Sequence, residues 1–277
     1  MTTFSHATVP IVHLTLGDNT CAVSLFGGHV LSYCRAGVEK LFVSRRAKLD
    51  GSRPIRGGIP ICWPWFGQLH PDINEHKLAH GLVRQQLWQL DAKVTRLDYV
   101  SITLSPCDIS HSLWPHGLTC QLIITLTKSH LNVALHSNNQ SHQTHPLSCA
   151  LHSYCQVNDI QTTTINGITG EYIDNTHQNK IDLTPQPYEI TTEIDRIHPN
   201  KDNPLQTNIY DNHELMSTLT HTGHDSIVVW NPWIEKSQSF VDMAEDEYKE
   251  MICIETALTQ QFDLAPQSRH CLVQTIT

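Results

Sequence analysis

The chain has 277 residues, with 18 basic and 27 acidic side chains and a formal net charge of −9 when histidine is neutral. Its basic residues are scattered rather than clustered, which argues against nucleic acid or an anionic membrane as a partner. Charged residues make up only 16%, while Thr, Ser, Asn, Gln and His abound, a mix that favours strands and polar clefts over long helices.

Met1–Pro10 carries neither a charged n-region nor an apolar h-region, and no later run approaches membrane-spanning length, so a soluble cytoplasmic protein is expected. The nine cysteines form no CxxC pair. Several lie in apolar runs, such as Cys149 and Cys253, and read as buried reduced thiols. Nineteen histidines suggest a metal, but none pairs with an acidic or Cys partner at ligand spacing, and no metal is expected.

Alternation with period two recurs along the chain. Cys21–Leu25 runs into Gly27-Gly28, and Val100–Leu104 ends at Ser105-Pro106. Cys120–Thr127 and Leu131–His136 flank Lys128-Ser129-His130, which predicts a hairpin. Leu147–Tyr154, Asp159–Ile165, Ser226–Trp230, Met251–Glu255 and Cys271–Ile276 continue the series. Only His213–Leu219 and Phe240–Lys249 suggest short helices, and Arg196–Asn212 reads as a long connection. Many short strands without helical crossovers predict an all-β antiparallel sandwich, formed as one domain over residues 1–277.

Within that pattern Arg56–Gly67 (Arg-Gly-Gly-Ile-Pro-Ile-Cys-Trp-Pro-Trp-Phe-Gly) is unlike its surroundings. Three glycines and two prolines exclude a helix or a central strand, so the stretch reads as a stiff irregular wall. Its aromatics, Trp63 among them, suit either the apolar face of a sugar or the cap of a core. Arg56 and Arg84, each within or beside a Gly-bearing turn, suit a phosphate or the surrounding acids. His152 and Glu255 each stand in an apolar strand-like run. On separate strands facing one cleft they would form an acid–base pair; read singly, Glu255 suits the exposed end of its strand and His152 a hydrogen-bonded place at the edge of a core.

These blocks together resemble the hexose-6-phosphate mutarotases, or glucose-6-phosphate 1-epimerases, a branch of the aldose 1-epimerase (galactose-mutarotase-like) family. Arg56–Gly67 resembles their RGGIPxxxPxFG block, His80–Arg84 their HGFAR, and Ala150–Tyr154 their ALHTY. Glu193–Arg196 resembles ExDR, Val229–Trp233 resembles VWNPW, and Tyr248–Glu255 resembles YKxxxCxE. Gly27–Val30 and Trp114–His116 also fit, and the blocks keep the family's order over nearly the whole chain. Departures occur at Ala79, Leu82-Val83, Cys155 and Thr256-Ala257.

The resemblance implies a β-supersandwich with its cleft on one sheet face. It further implies His152 as catalytic acid, Glu255 as base, and Arg56, Arg84, Asp195, His80 and Trp63 as substrate-binding residues. A nearby carboxylate should then keep His152 protonated. The implied reaction interconverts the anomers of a hexose 6-phosphate, glucose 6-phosphate foremost, in a monomer that needs no cofactor. Three alternatives remain open from the sequence: an epimerase of unphosphorylated aldoses, a glycosidase, for which a second carboxylate is missing, and a non-catalytic sugar-phosphate-binding protein.

Overall fold

A computed structural model describes residue 4 and residues 6–67, 78–260 and 262–277. Two large antiparallel sheets face each other. The first has nine strands in the order Tyr188–Glu189, Thr163–Asn166, Leu205–Asp211, Glu214–Thr222, Arg269–Ile276, Leu131–Asn139, Leu118–Thr127, Tyr99–Pro106 and Trp88–Thr95. The second runs Lys180–Leu183, Glu171–Asp174, Ile194–Pro199, Ser226–Asn231, Met251–Leu258, Cys149–Leu151 and Ile61–Cys62, with Tyr154–Gln156 also paired to Met251–Leu258. A four-stranded sheet, Ile11–Leu16, Asn19–Ser24, His29–Arg35 and Val38–Glu39, packs beside them.

The predicted alternation is what builds the core. In Leu118–Thr127 the residues Leu118, Cys120, Leu122, Ile124 and Leu126 are buried, while the side chains between them are at least partly exposed. The hairpin expected at Lys128–His130 forms, with Thr127 N–H donating to His130 O at 2.9 Å. Seven of the nine cysteines are buried free thiols. In the second sheet, Met251–Leu258 and Ser226–Asn231 are buried along their whole length. A sheet with one wet face would not show this; here something covers the outer face as well.

Three local expectations are overturned. Arg196–Asn212 is not a long connection, because it contains the end of Ile194–Pro199 and all of Leu205–Asp211. His213–Leu219 is not helical: Glu214–Thr222 is a strand burying Ser217, Leu219 and His221 in alternation. Asn212 and His213 take positive φ (47° and 70°), the conformation of a two-residue hairpin turn. In place of a helix over Phe240–Lys249 there is a short 3-10 turn at Glu247–Glu250, and the α-helix lies earlier, at Trp233–Ser239. Pro232 precedes that helix, where its fixed φ suits a helix start, and Asn231 Oδ1 accepts from Trp233 N–H at 2.8 Å.

Arg56–Gly67 covers part of the second sheet's outer face. Gly57 has φ +112°, and a Cβ there would strike the Phe42 carbonyl. Only glycine lets the wall lie so close to its neighbour. Gly81, at φ +86°, likewise sits against the Trp63 backbone and brings the Val83–Gln85 turn over the same face.

Candidate active site

The outer face of the second sheet carries a cleft of about 850 Å³. Six of the seven residues expected from the sequence line it: Arg56, His80, Arg84, His152, Asp195 and Glu255. Trp63 does not. It is completely buried, donates its indole N–H to Ser137 Oγ at 3.0 Å, and packs on Trp114. The substrate-binding expectation for Trp63 is therefore wrong, and the residue holds the core together. Its side chain points to the inner face of the sheet, toward the nine-stranded partner.

Strand register brings the acid–base candidates together. Pairing runs from Leu151↔Thr256 to Tyr154↔Cys253 without a shift, which sets His152 directly opposite Glu255. Opposed residues of an antiparallel pair share a face. His152 Nδ1 lies 3.2 Å from Glu255 Oε1. Glu255 Oε2 is buried without a hydrogen-bond partner among the described residues, which leaves that oxygen to a ligand. Tyr154 stacks flat on the imidazole at 5.1 Å, and Trp230 meets it edge-on at 6.1 Å. With Phe66 and the His80 ring they hold His152 in one orientation.

The guanidinium groups differ in what surrounds them. Arg56 contacts Asp242 Oδ1 at 3.3 Å, donates to the Tyr154 hydroxyl at 3.3 Å, and lies 4.3 Å over the Phe240 ring. Arg84 donates to Ala79 O at 2.6 Å, but its Nε is buried without a partner. Among the described residues no carboxylate pairs with it, and desolvation lowers its pKa. A buried guanidinium that meets no carboxylate among the described residues is chemically suited to an anion. At another part of the cleft, Asp195 accepts from Asn175 Nδ2 at 2.9 Å, and Lys236 is paired with Glu193 at 2.8 Å.

Burial governs protonation here. It pushes Glu255 well up, with the Asp195 charge adding to the effect. It pushes His152 well down, with His80, Arg84 and Arg56 adding to that. Burial thus favours a carboxylic acid beside a neutral imidazole. The carboxylate in contact with His152 is Glu255, but burial and the neighbouring cations still push the imidazole toward its neutral form. His80 is held neutral, down to about 3, by burial first and then by Arg84 and Arg56. Its Nδ1 accepts from Gly67 N–H at 3.3 Å, which leaves Nε2 as the protonated nitrogen.

Tyr154, Phe240 and Asp242 were missed as site residues by sequence reasoning. Tyr154 belongs to a matched block, so a signal existed; Phe240 and Asp242 sit in an irregular segment whose course the sequence does not reveal. His152, Cys253 and Glu255 also place three donor atoms within 4.8 Å of one another. Two guanidinium groups in the same cleft oppose a cation there, so the donor set fits a metal poorly.

The aldose 1-epimerase family model matches residues 10–270. An Escherichia coli K12 protein named "Putative glucose-6-phosphate 1-epimerase" is 31% identical over 245 residues, covering 86% of this chain and 79% of its own. A protein of the same name from Cenchrus ciliaris is 32% identical over 260 residues, covering 88% and 76%. The crystal structure of a "putative mutarotase (YeaD)" from Salmonella typhimurium superposes with a TM-score of 0.85 at 27% identity, covering 97% of this chain and 90% of that one.

Proposed function

The chain belongs to the aldose 1-epimerase family, and from that premise we propose that it interconverts the α and β anomers of a hexose 6-phosphate, glucose 6-phosphate foremost. The observation that carries the phosphate is Arg84, a buried cation with no carboxylate partner among the described residues, lining the same cleft as the His152–Glu255 pair. The similarly named relatives point the same way.

The chemistry needs one proton removed and one supplied. Glu255 takes the proton of the O1 hydroxyl while His152 gives one to the ring oxygen O5. The O1 electrons form the C1=O1 bond as C1–O5 breaks. The open aldehyde turns about C1–C2, and O5 closes on the other face of C1 as both protons return. Nothing is consumed, and the pair ends as it began. Each positioned group is worth about 100- to 10,000-fold.

This sequence requires the shared proton to sit on His152. Arg84 and Arg56 are among the charges that keep it off the imidazole. A phosphate dianion bound to those arginines cancels their field and moves the proton toward His152. The substrate's own charge thereby prepares the acid, an advantage that free glucose lacks.

The test is anomer exchange of glucose 6-phosphate by exchange NMR, with glucose and galactose as comparisons. Selective turnover of the phosphate is expected. Equal efficiency on free sugars would make the arginines structural and the protein an ordinary aldose epimerase.

A further inference from the structure

We propose that Gln274 is a positioning residue for the His152–Glu255 pair: it reaches from the opposite sheet and pins the backbone on which both stand. The inference builds on reading those two residues as the acid–base pair.

Gln274 lies in Arg269–Ile276 of the nine-stranded sheet and is completely buried between the sheets. A buried amide is costly unless its bonds are made, and this one makes three. Its Nε2 donates to Ile254 O at 3.0 Å and to Thr256 Oγ1 at 2.9 Å, while its Oε1 accepts from Ser153 Oγ. Those partners are the residue before Glu255, the residue after it, and the residue after His152. Ile254 O can only accept, which fixes the orientation of the amide.

The chain of bonds continues inward. Thr256 Oγ1 lies 2.7 Å from His221 Nδ1, and His221 Nε2 lies 3.0 Å from Thr207 Oγ1. Burial holds His221 neutral, down to about 3, so one ring nitrogen accepts and the other donates. The Thr256 hydroxyl, with one hydrogen and two lone pairs, serves Gln274 and His221 at once.

The bridge sits where the sheet needs one. Beside His152 the ladder is irregular: His152 N–H bonds to Pro60 O and Ser153 N–H turns back to Leu151 O. Ser153 O still accepts from Ile254 N–H at 3.1 Å. Gln274 therefore ties the two strands together directly beneath the 3.2 Å His152–Glu255 contact. Misplacing a catalytic group by about 1 Å costs on the order of 100-fold in rate.

Gln274→Met keeps the bulk and removes the bonds. The expected result is a fall in kcat of about 10- to 100-fold with KM for glucose 6-phosphate nearly unchanged. The NMR titration of His152 should also be displaced, although the groups facing the pair (His80, Arg56, Arg84, Tyr154, Cys253, Asp195) are all untouched. Thr207→Val, at the far end of the same chain of bonds, should lower the melting temperature and change neither kcat nor the titration. If Gln274→Met only melts earlier, as Thr207→Val does, with kcat and the His152 titration of the wild type, Gln274 is structural and the proposal falls. Should Gln274→Met fail to fold, Ser153→Ala removes one bond of the three. A several-fold loss of kcat at constant KM supports the proposal, and wild-type kcat overturns it. If the wild type shows no anomer exchange at all, the catalytic reading fails instead, and the His152 titration alone decides whether Gln274 positions the ring.

Discussion

Replacing Arg84 by Met separates a phosphate enzyme from a free-sugar enzyme. Its guanidinium has no carboxylate partner among the described residues, and its Nε makes no bond. A charge-assisted bond to a phosphate oxygen is worth about 1.5–3 kcal/mol, so its loss should lower kcat/KM for glucose 6-phosphate by roughly 10- to 200-fold. Free glucose, already a poor substrate, should be almost unaffected. The stability outcome has a distinctive sign: with no carboxylate among the described residues offsetting the desolvation of Arg84, Met should hold or raise the melting temperature. Arg56→Met should differ, because it strands Asp242 and the Tyr154 hydroxyl. It should lose phosphate turnover to a similar degree and also lose about 1–3 kcal/mol of stability. Exchange NMR on both sugars and a thermal melt supply every reading. Unchanged phosphate turnover in Arg84→Met, or a parallel loss on free glucose, would refute the reasoning.

Glu255→Gln should lower kcat by about 100-fold or more with little change in KM, and near-wild-type exchange would end its assignment. His152→Asn should remove most turnover, whereas His130→Asn, in the exposed hairpin turn, should change nothing in the same assay. The pH–rate profile should be bell-shaped, since taking up a second proton or losing the shared one disables the pair; a flat profile between about pH 5 and 9 would contradict this. Inorganic phosphate should raise the pKa of His152 as followed by NMR, and Arg84→Met should abolish the rise. Acid should destabilise the fold: His29 and His221 are held near 4 and 3 by burial, below the unfolded value of about 6.5. The unfolded chain then takes up protons that the folded one refuses, so stability falls as pH drops below about 6.5, by about 2 kcal/mol per histidine at pH 5. A melting temperature flat from pH 7 to 5 would argue against neutral buried histidines.

The sandwich was legible because alternation survives wherever a strand has one face on the core, as Leu118–Thr127 does. The helix expected over His213–Leu219 failed because polar strands with Thr, Ser and His carry little hydrophobic signal; the hairpin depended on two positive-φ residues, Asn212 and His213. The helix at Trp233–Ser239 escaped because seven residues span barely two turns, too few to show a period. Six of the proposed site residues converge on one cleft, and the block resemblance pointed to them because each stands in a short motif with its own backbone demands.

Trp63 and Gln274 show where such reading stops. Central strands of the second sheet are buried on both faces, so Met251–Leu258 presents an unbroken buried run. Period two then says that Glu255 and Thr256 point opposite ways but not which way is the core. The carboxylate decides it: an ionisable group is tolerated facing a cleft that admits substrate, and costs several kcal/mol against the nine-stranded sheet. That assigns Cys253, Glu255 and Ala257 to the cleft face, and Ile252, Ile254 and Thr256 to the interior. Thr256 therefore needs a polar partner from across the sandwich, and Gln274, the glutamine in Arg269–Ile276, supplies it. For Trp63 no charge nearby sets the parity. Its indole N–H found Ser137 on the opposite sheet, and only the fold reveals that partner.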